Sequence, residues 1–119
     1  MNPETEETPG SVVMLSGDLM FASRVKAAVE RAGLDYQMGG QLPAENTEQI
    51  RFVILDLSTR SKLIPELAGQ CRDRCPEAKL IAYGPHVHVD KIRMAKESGI
   101  PIVMTNGQFD RQLSTMFVD

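Results

Sequence analysis

The sequence lacks tryptophan and is poor in other aromatic residues and in cysteine. Aromatic residues make up 5% of the 119 residues, and only two residues are cysteines. A hydrophobic core must therefore be built from aliphatic side chains and from the seven methionines. Two cysteines are too few for a disulfide scaffold, and without an export signal they favour free thiols in the cytoplasm.

Long apolar runs and a strong charge of one sign are also missing. No stretch approaches the roughly 20 apolar residues of a membrane-spanning helix, and the N-terminus lacks the basic start and apolar segment of a signal peptide. The net charge of -3 is equal to the contribution of Glu4, Glu6 and Glu7. A neutral body with interspersed acids and bases does not favour nucleic-acid binding. We expect neither a nucleic-acid nor a membrane partner.

Residues 1–10 differ in composition from the rest of the chain. They are polar and acidic and contain two prolines, which is typical of a disordered leader. Residues 11–119 are long enough for one domain with its own core. Whether this domain is a stand-alone module or a piece of a longer protein stays open.

The body of the chain alternates strand-like and helix-like segments. Continuous apolar runs predict five buried strands, at residues 11–16, 34–38, 52–57, 79–83 and 100–104. Apolar residues at three- and four-residue spacing predict helices between them. These helices begin near Asp18, Leu63, His88 or Asp90, and Phe109. Residues 41–50 allow at most a short helix. The alternation predicts an α/β, flavodoxin-like three-layer sandwich with a parallel sheet in the strand order 2-1-3-4-5.

One strand carries a carboxylate where a functional site is expected. The run FVILDL, residues 52–57, is apolar except for Asp56 near its end. Ligands of open α/β sheets bind just beyond the carboxyl ends of the strands. Asp56 therefore stands where a phosphoacceptor, a metal ligand or a ligand-binding acid is expected.

The order and spacing of these segments resemble the receiver domain of response regulators over residues 11–118. The resemblance rests on VVMLS before the first helix, on FVILDLS, on CPEAKLIAY and on SGIP before the last strand. It implies that Asp56 occupies the phosphoacceptor position of that family. It also implies that the family's pair of metal-binding acids corresponds to Ser16 and Gly17, with Asp18 as a neighbour.

Two further positions of the family carry other residue types here. Gly84 stands where receivers have a threonine or serine that contacts the phosphoryl group, and Asn106 stands at the position of a lysine that neutralises its charge. An asparagine brings no positive charge. Phosphoryl transfer to a carboxylate also needs Mg²⁺, which offsets the repulsion between negative oxygens. Only Asp56 keeps the family's residue type.

We therefore expect a pseudo-receiver, which is a non-enzymatic signalling or adaptor module of bacterial two-component type. Such a module works in the cytoplasm through protein–protein contact and needs no cofactor. The resemblance implies that residues 88–118 form the contact face, through which a homodimer is plausible. The protein partner is not identified by the sequence.

Two alternatives stay open. In the first, Asp56 is a true phosphoacceptor and an atypical Mg²⁺ site is built with Asp18, a residue that also suits the N-cap of the first helix. In the second, a flavodoxin-like domain binds a small ligand with the loops around Ser16, Asp56 and Gly84.

Cysteine and histidine pairs suggest two weaker sites. Cys71 and Cys75 are four residues apart, a spacing that gives either half of a zinc site or two packed thiols. His86 and His88 suggest a transition-metal or pH-sensitive site beyond the fourth strand, or else a loop or capping role.

Overall fold

A computed structural model describes residues 9–118 of the chain. Residues 1–8 of the expected leader, and residue 119, lie outside this range. Gly10 is buried, and its carbonyl oxygen accepts a hydrogen bond from the Asp35 amide at 2.9 Å. Among the described residues, no helix is both long and apolar enough to cross a membrane.

Five parallel strands form one sheet in the order β2-β1-β3-β4-β5. This order confirms the expected flavodoxin-like topology. The strands are β1 (Ser11–Leu15), β2 (Asp35–Gly39), β3 (Ile50–Asp56), β4 (Lys79–Gly84) and β5 (Ile102–Thr105). The helices are α1 (Leu19–Arg31), α2 (Ile64–Arg74), α3 (Val89–Glu97) and α4 (Asn106–Met116).

Two cores cover the two faces of the sheet, because alternate residues of a strand point to opposite faces. Val12 and Met14 of β1 pack with side chains of α1 and α4 in one core, and Val13 and Leu15 pack with α2 and α3 in the other. The central strands β1, β3 and β4 thus bury apolar side chains on both faces. Continuous apolar runs are the pattern that such strands require.

The segment between β2 and β3 carries no α-helix. It contains a single short 3₁₀ turn, Thr47–Gln49, as the scattered apolar positions predicted. Tyr36 and Met38 of β2 pack against the core beneath α1, whereas Asp35 and Gln37 are exposed. The polar side chains of β2 therefore lie on the face of the sheet where no helix covers this strand.

Helix ends follow local chemistry. Asp18 caps α1 by accepting hydrogen bonds from the amides of Met20 and Phe21, as predicted. Gly33 and Gly99 follow α1 and α3 with φ values of 79° and 91°. Only glycine adopts this left-handed conformation without strain, so both helices end there.

The last strand and the last helix differ from the prediction. β5 begins at Ile102, because the Ile100 amide bonds to Ala95 at the end of α3 and Pro101 has no N–H to donate. The helix α4 begins at Asn106, three residues before the predicted Phe109. Thr105 and Gln108 form a capping box that starts this helix directly after β5.

Candidate functional site at the strand ends

The parallel sheet brings several of the predicted site residues to one edge. Asp56 is the last residue of β3 and lies opposite Tyr83 of β4, while Gly84 lies opposite Thr105 of β5. Ser16 directly follows β1, which pairs with β3 on its other side. The carboxyl ends of β1, β3, β4 and β5 therefore meet around Asp56.

Asp56 is buried and accepts several hydrogen bonds. The residue is 2% exposed. The Oδ2 atom accepts hydrogen bonds from Ser16 Oγ at 2.8 Å and from Thr59 Oγ1 at 2.7 Å. The Oδ1 atom accepts a third from the Ser58 amide at 2.9 Å. An ionised carboxylate has about four acceptor positions, and three are thus filled by the protein itself.

The same hydrogen bonds join two loops. Ser16 Oγ also accepts a hydrogen bond from the Asp18 amide at 2.9 Å. Thr59 Oγ1 also accepts one from the Gly17 amide at 2.9 Å. The loop after β1 is thereby tied to the turn after β3 through Ser16, Asp56 and Thr59. We call this hydrogen-bonded set of three side chains the strand-end latch.

The alternative metal role of Asp18 competes with its capping role. Asp18 Oδ1 accepts hydrogen bonds from the Met20 amide at 3.0 Å and the Phe21 amide at 3.2 Å. These bonds direct the carboxylate oxygen to the first turn of α1. Capping of this kind contributes about 0.5–2 kcal/mol to stability, which a metal ion binding to this oxygen must offset.

Gly17 occupies one of the expected acid positions, and a cationic side chain faces it. A Cβ atom at position 17 would lie 3.3 Å from Nη1 of Arg60. The Arg60 guanidinium itself donates a hydrogen bond from Nη1 to the Thr59 carbonyl oxygen at 3.1 Å. This arginine was not singled out from the sequence, because its approach to Gly17 depends on a fold contact across 43 positions.

Leu57 limits the side chain that fits at position 84, where receivers have a threonine or serine. A Cβ atom on Gly84 would lie 3.1 Å from the Cβ atom of Leu57, a side chain that is fully buried. Contacts this short require the neighbour to move. Threonine or serine at position 84 therefore does not fit unless Leu57 shifts.

Asn106 is the first residue of α4 rather than a strand-end residue. Its Oδ1 atom is buried and has no hydrogen-bond partner within residues 9–118. The resemblance relates this position to a lysine at the end of the fifth strand. The capping box at Thr105 instead places Asn106 in the first helical turn.

Tyr83 is a site neighbour that the sequence reasoning missed. Its ring stacks on Phe109, with centroids 4.3 Å apart, and the edge of Phe21 meets it at 5.0 Å. Burial raises the pKa of Tyr83, and the nearby Asp56 carboxylate raises it further. The Ser16 hydroxyl lies near enough to lower this pKa in part, but it donates to Asp56 and leaves the Tyr83 hydroxyl without a hydrogen bond of ordinary geometry in the described part of the chain. The signal that could have identified Tyr83 was its position at the end of the fourth predicted strand, opposite Asp56 in the strand register.

The residues at this edge do not fit a Mg²⁺ site. This ion prefers several oxygen ligands in near-octahedral geometry. Three acceptor positions of Asp56 are filled, Asp18 caps a helix and Gly17 offers no side chain. In the described part of the chain, no group of three or more histidine, cysteine, aspartate or glutamate side chains is placed to hold a metal.

The cysteine pair lies at the other end of the sheet from the strand-end latch, whereas the histidine pair follows β4 at the same edge as Gly84. Cys71 and Cys75 are free and buried, and burial raises the pKa of the Cys71 thiol to about 12. They line a cavity of about 450 Å³ between the end of α2 and the starts of β4 and β5. His88 is the residue before α3, and its side chain makes no capping hydrogen bond, whereas His86 is exposed.

Comparisons with known proteins agree with this topology. No protein-family model matches the chain, and a search of curated proteins found no relative. A response regulator receiver domain protein from Clostridium thermocellum matches with a TM-score of 0.68 at 15% identity, over 91% of this chain and 90% of that one. The chain has the receiver-domain fold.

Two further receiver-fold structures show what has been observed in other proteins. A response regulator from Burkholderia pseudomallei, solved with a phosphorylated aspartic acid, a calcium ion and citrate, has a TM-score of 0.64 at 16% identity and covers 91% of this chain and 68% of that one. The beryllofluoride-activated NtrC4 receiver domain dimer has a TM-score of 0.59 at 17% identity, covering 90% and 95%. Any phosphorylation or metal binding in this chain depends on its own residues at the carboxyl ends of the strands.

Proposed function

We propose that the chain is a pseudo-receiver, a non-enzymatic signalling module that acts by protein–protein contact and not by phosphorylation of Asp56. The observation that carries this proposal is the hydrogen-bonded state of Asp56. Its carboxylate is buried and accepts three hydrogen bonds from Ser16, Ser58 and Thr59. A phosphoryl group on Asp56 needs space around the carboxylate oxygens and a positive charge beside them. These three donors now fill that space.

The neighbouring positions support the same proposal. A new phosphoryl group carries negative charge that a cation and hydrogen-bond donors must offset. Position 84 has no hydroxyl, and Leu57 fills the space that a side chain there needs. Position 106 carries a neutral asparagine within α4. The receiver fold is thus kept while its expected phosphoryl contacts are replaced.

The proposed contact face is the surface formed by residues 88–118. β5 lies at an edge of the sheet, and all four of its residues are half-buried. Val89 is 55% exposed, Met94 is 45% exposed and Val118 is 53% exposed. Exposed apolar side chains near an open sheet edge favour a protein partner. Because a receiver of this fold, NtrC4, has been solved as a dimer, a second copy of the chain is the first partner to test.

A cytoplasmic location and a role in bacterial two-component signalling belong to the same proposal. Free thiols at Cys71 and Cys75 suit a reducing compartment. The receiver fold and the position of Asp56 at the end of β3 support a signalling origin. Residues 1–10 are proposed as a leader and residues 11–119 as the domain.

The second candidate function, a true phosphoacceptor, is favoured by the position of Asp56 alone. The deciding experiment incubates the protein with Mg²⁺ and either acetyl phosphate or beryllofluoride. Intact mass and ¹H–¹⁵N spectra are then compared with those of Asp56→Asn. We expect no added phosphoryl mass and no Asp56-dependent spectral change. A Mg²⁺-dependent mass increase that is lost in Asp56→Asn contradicts the pseudo-receiver proposal and establishes phosphorylation.

A further inference from the structure

A cationic side chain lies beside the strand-end latch. It comes from the turn that follows β3, which also supplies two of the three donors to the Asp56 carboxylate. The Arg60 amide donates to the Asp56 carbonyl oxygen at 2.9 Å, and Ser58 and Thr59 of the same turn donate to the Asp56 carboxylate. Residues 56–60 therefore form one turn that supplies two donors to the carboxylate and also carries Arg60.

The guanidinium of Arg60 lies against the loop after β1. A Cβ atom at Gly17 would be 3.3 Å from Nη1, 3.5 Å from Nη2 and 3.6 Å from Cζ of Arg60. A Cβ atom at Gly40 would be 3.7 Å from its Nε. The guanidinium thus lies beside two glycines that follow neighbouring strands, β1 and β2.

Backbone geometry does not require glycine at position 17. Within the described residues, the glycines with positive φ are Gly33 and Gly99. A side chain at position 17 is therefore compatible with the backbone, and what it meets is the end of Arg60. Glycine at position 17 leaves room for the Arg60 guanidinium.

We propose that the guanidinium of Arg60 is the protein's own cation at the strand ends and that it excludes a divalent ion from positions 16–18. Its charge is fixed beside the loop where the receiver resemblance places metal-binding acids. A permanent positive charge repels a second cation, and guanidinium stays protonated at all ordinary pH values. The latch is therefore formed without Mg²⁺ and does not respond to it.

This inference deepens the proposed function and rests on it, because both concern the same site. It adds a physical cause for the exclusion of Mg²⁺. Mg²⁺ is excluded by the charge of Arg60 as well as by the lack of acidic ligands. The two contributions can be separated by mutation, because a substitution at position 60 removes the positive charge and a substitution at position 17 restores an acidic ligand.

The experiment measures Mg²⁺ binding by calorimetry and by ¹H–¹⁵N shift titration in four proteins: wild type, Gly17→Asp, Arg60→Gln and the double variant. Circular dichroism and the spectra verify folding. Lys62→Ala is the matched control, because it removes an exposed charge two residues from Arg60. We expect binding to be tightest in Gly17→Asp/Arg60→Gln, by about ten-fold or more over Gly17→Asp alone. Lys62→Ala in the Gly17→Asp background is expected to leave the affinity unchanged.

Two results would overturn the inference. One is Mg²⁺ binding by Gly17→Asp alone that equals binding by the double variant. The other is site-specific Mg²⁺ binding by the wild type. Failure of the proposed function is a separate outcome: labelling of Asp56 by acetyl phosphate that is independent of Mg²⁺ contradicts the pseudo-receiver proposal, yet leaves the exclusion by Arg60 intact.

Discussion

Leu57 fills the space beside the Gly84 backbone, so that a Cβ atom on Gly84 would lie 3.1 Å from the Leu57 Cβ atom. Gly84 is the last residue of β4, and Leu57 comes directly after Asp56, the last residue of β3. Leu57 is fully buried. The contact links the residue type at one expected functional position to the packing of its neighbour. It also yields a direct test by substitution.

We expect Gly84→Ala to lower the free energy of unfolding by about 1–3 kcal/mol, because the added methyl group overpacks the contact with Leu57. Urea denaturation measures this change. Gly39→Ala is the matched control, since Gly39 also ends a strand and a Cβ atom there meets only the Gln41 carbonyl oxygen at 3.8 Å. The cost of Gly84→Ala is expected to shrink in a Leu57→Ala background. Equal costs for the two glycine substitutions would argue against a steric role for Leu57.

We expect Ser16→Ala to destabilise the protein by about 1–3 kcal/mol, because a buried donor to Asp56 is lost and the Asp18 amide loses its acceptor. The measurement is the same urea midpoint at constant m-value. Ser23→Ala is the control, since its exposed hydroxyl donates only to the Met20 carbonyl oxygen, and its effect is expected within about 0.5 kcal/mol. Similar values for the two serines would contradict a stabilising strand-end latch.

We expect stability to fall at alkaline pH through Tyr83. Burial chiefly, and then the Asp56 carboxylate, raise the pKa of Tyr83 above its ordinary value of 10.0. The unfolded chain therefore releases the phenol proton first, so this contribution is complete below pH 10.0 and is lost as the pH rises toward the folded pKa. Cys71 acts in the same direction between pH 9.0 and about 12.

The variant that tests the tyrosine contribution is Tyr83→Phe. It is expected to make the decline of unfolding free energy above pH 10.0 shallower. At pH 7 it is expected to change stability by less than about 1 kcal/mol, because the hydroxyl has no hydrogen-bond partner within the described range. Chemical denaturation over a pH series measures both. An alkaline decline as steep as that of the wild type would exclude Tyr83 as a contributor.

We expect Met94→Glu to weaken self-association by about ten-fold or more, because it puts a charge on the proposed contact face. Sedimentation velocity over a concentration series measures the dimer dissociation constant. Met20→Glu is the control, since Met20 is 83% exposed on α1, outside residues 88–118. If Met20→Glu weakens association and Met94→Glu does not, the contact face lies elsewhere on the domain.

The order of strands and helices was predictable from the sequence because buried parallel strands are apolar on both faces. The runs around Val13, Ile54 and Ile81 carry that pattern without interruption. The short turn in place of a helix before β3 was also predictable, because residues 41–50 lack an apolar stripe. Helix starts were harder to predict where a threonine both ended a strand and capped a helix, as Thr105 does.

The site was only partly predictable. Asp56 was found because it lies near the end of an apolar run, Ser16 was reached through the receiver resemblance, and Asp18 was correctly expected as a helix cap. Thr59, Arg60 and Leu57 were not singled out, although they lie within four residues of Asp56. Their roles come from contacts with Gly17 and Gly84, which depend on how the loops approach each other in space. Single-sequence patterns carry no signal for such contacts.

The direct passage from β5 into α4 at Thr105 has a consequence for how a partner is bound. Because the hydroxyl and amide of Thr105 are both bonded to Gln108, no free linker separates strand from helix. A surface built this way is preorganised, so little conformational entropy is lost when it is covered. Association at this face is therefore expected to proceed as rigid docking, with a rate set by encounter and orientation and not by loop ordering.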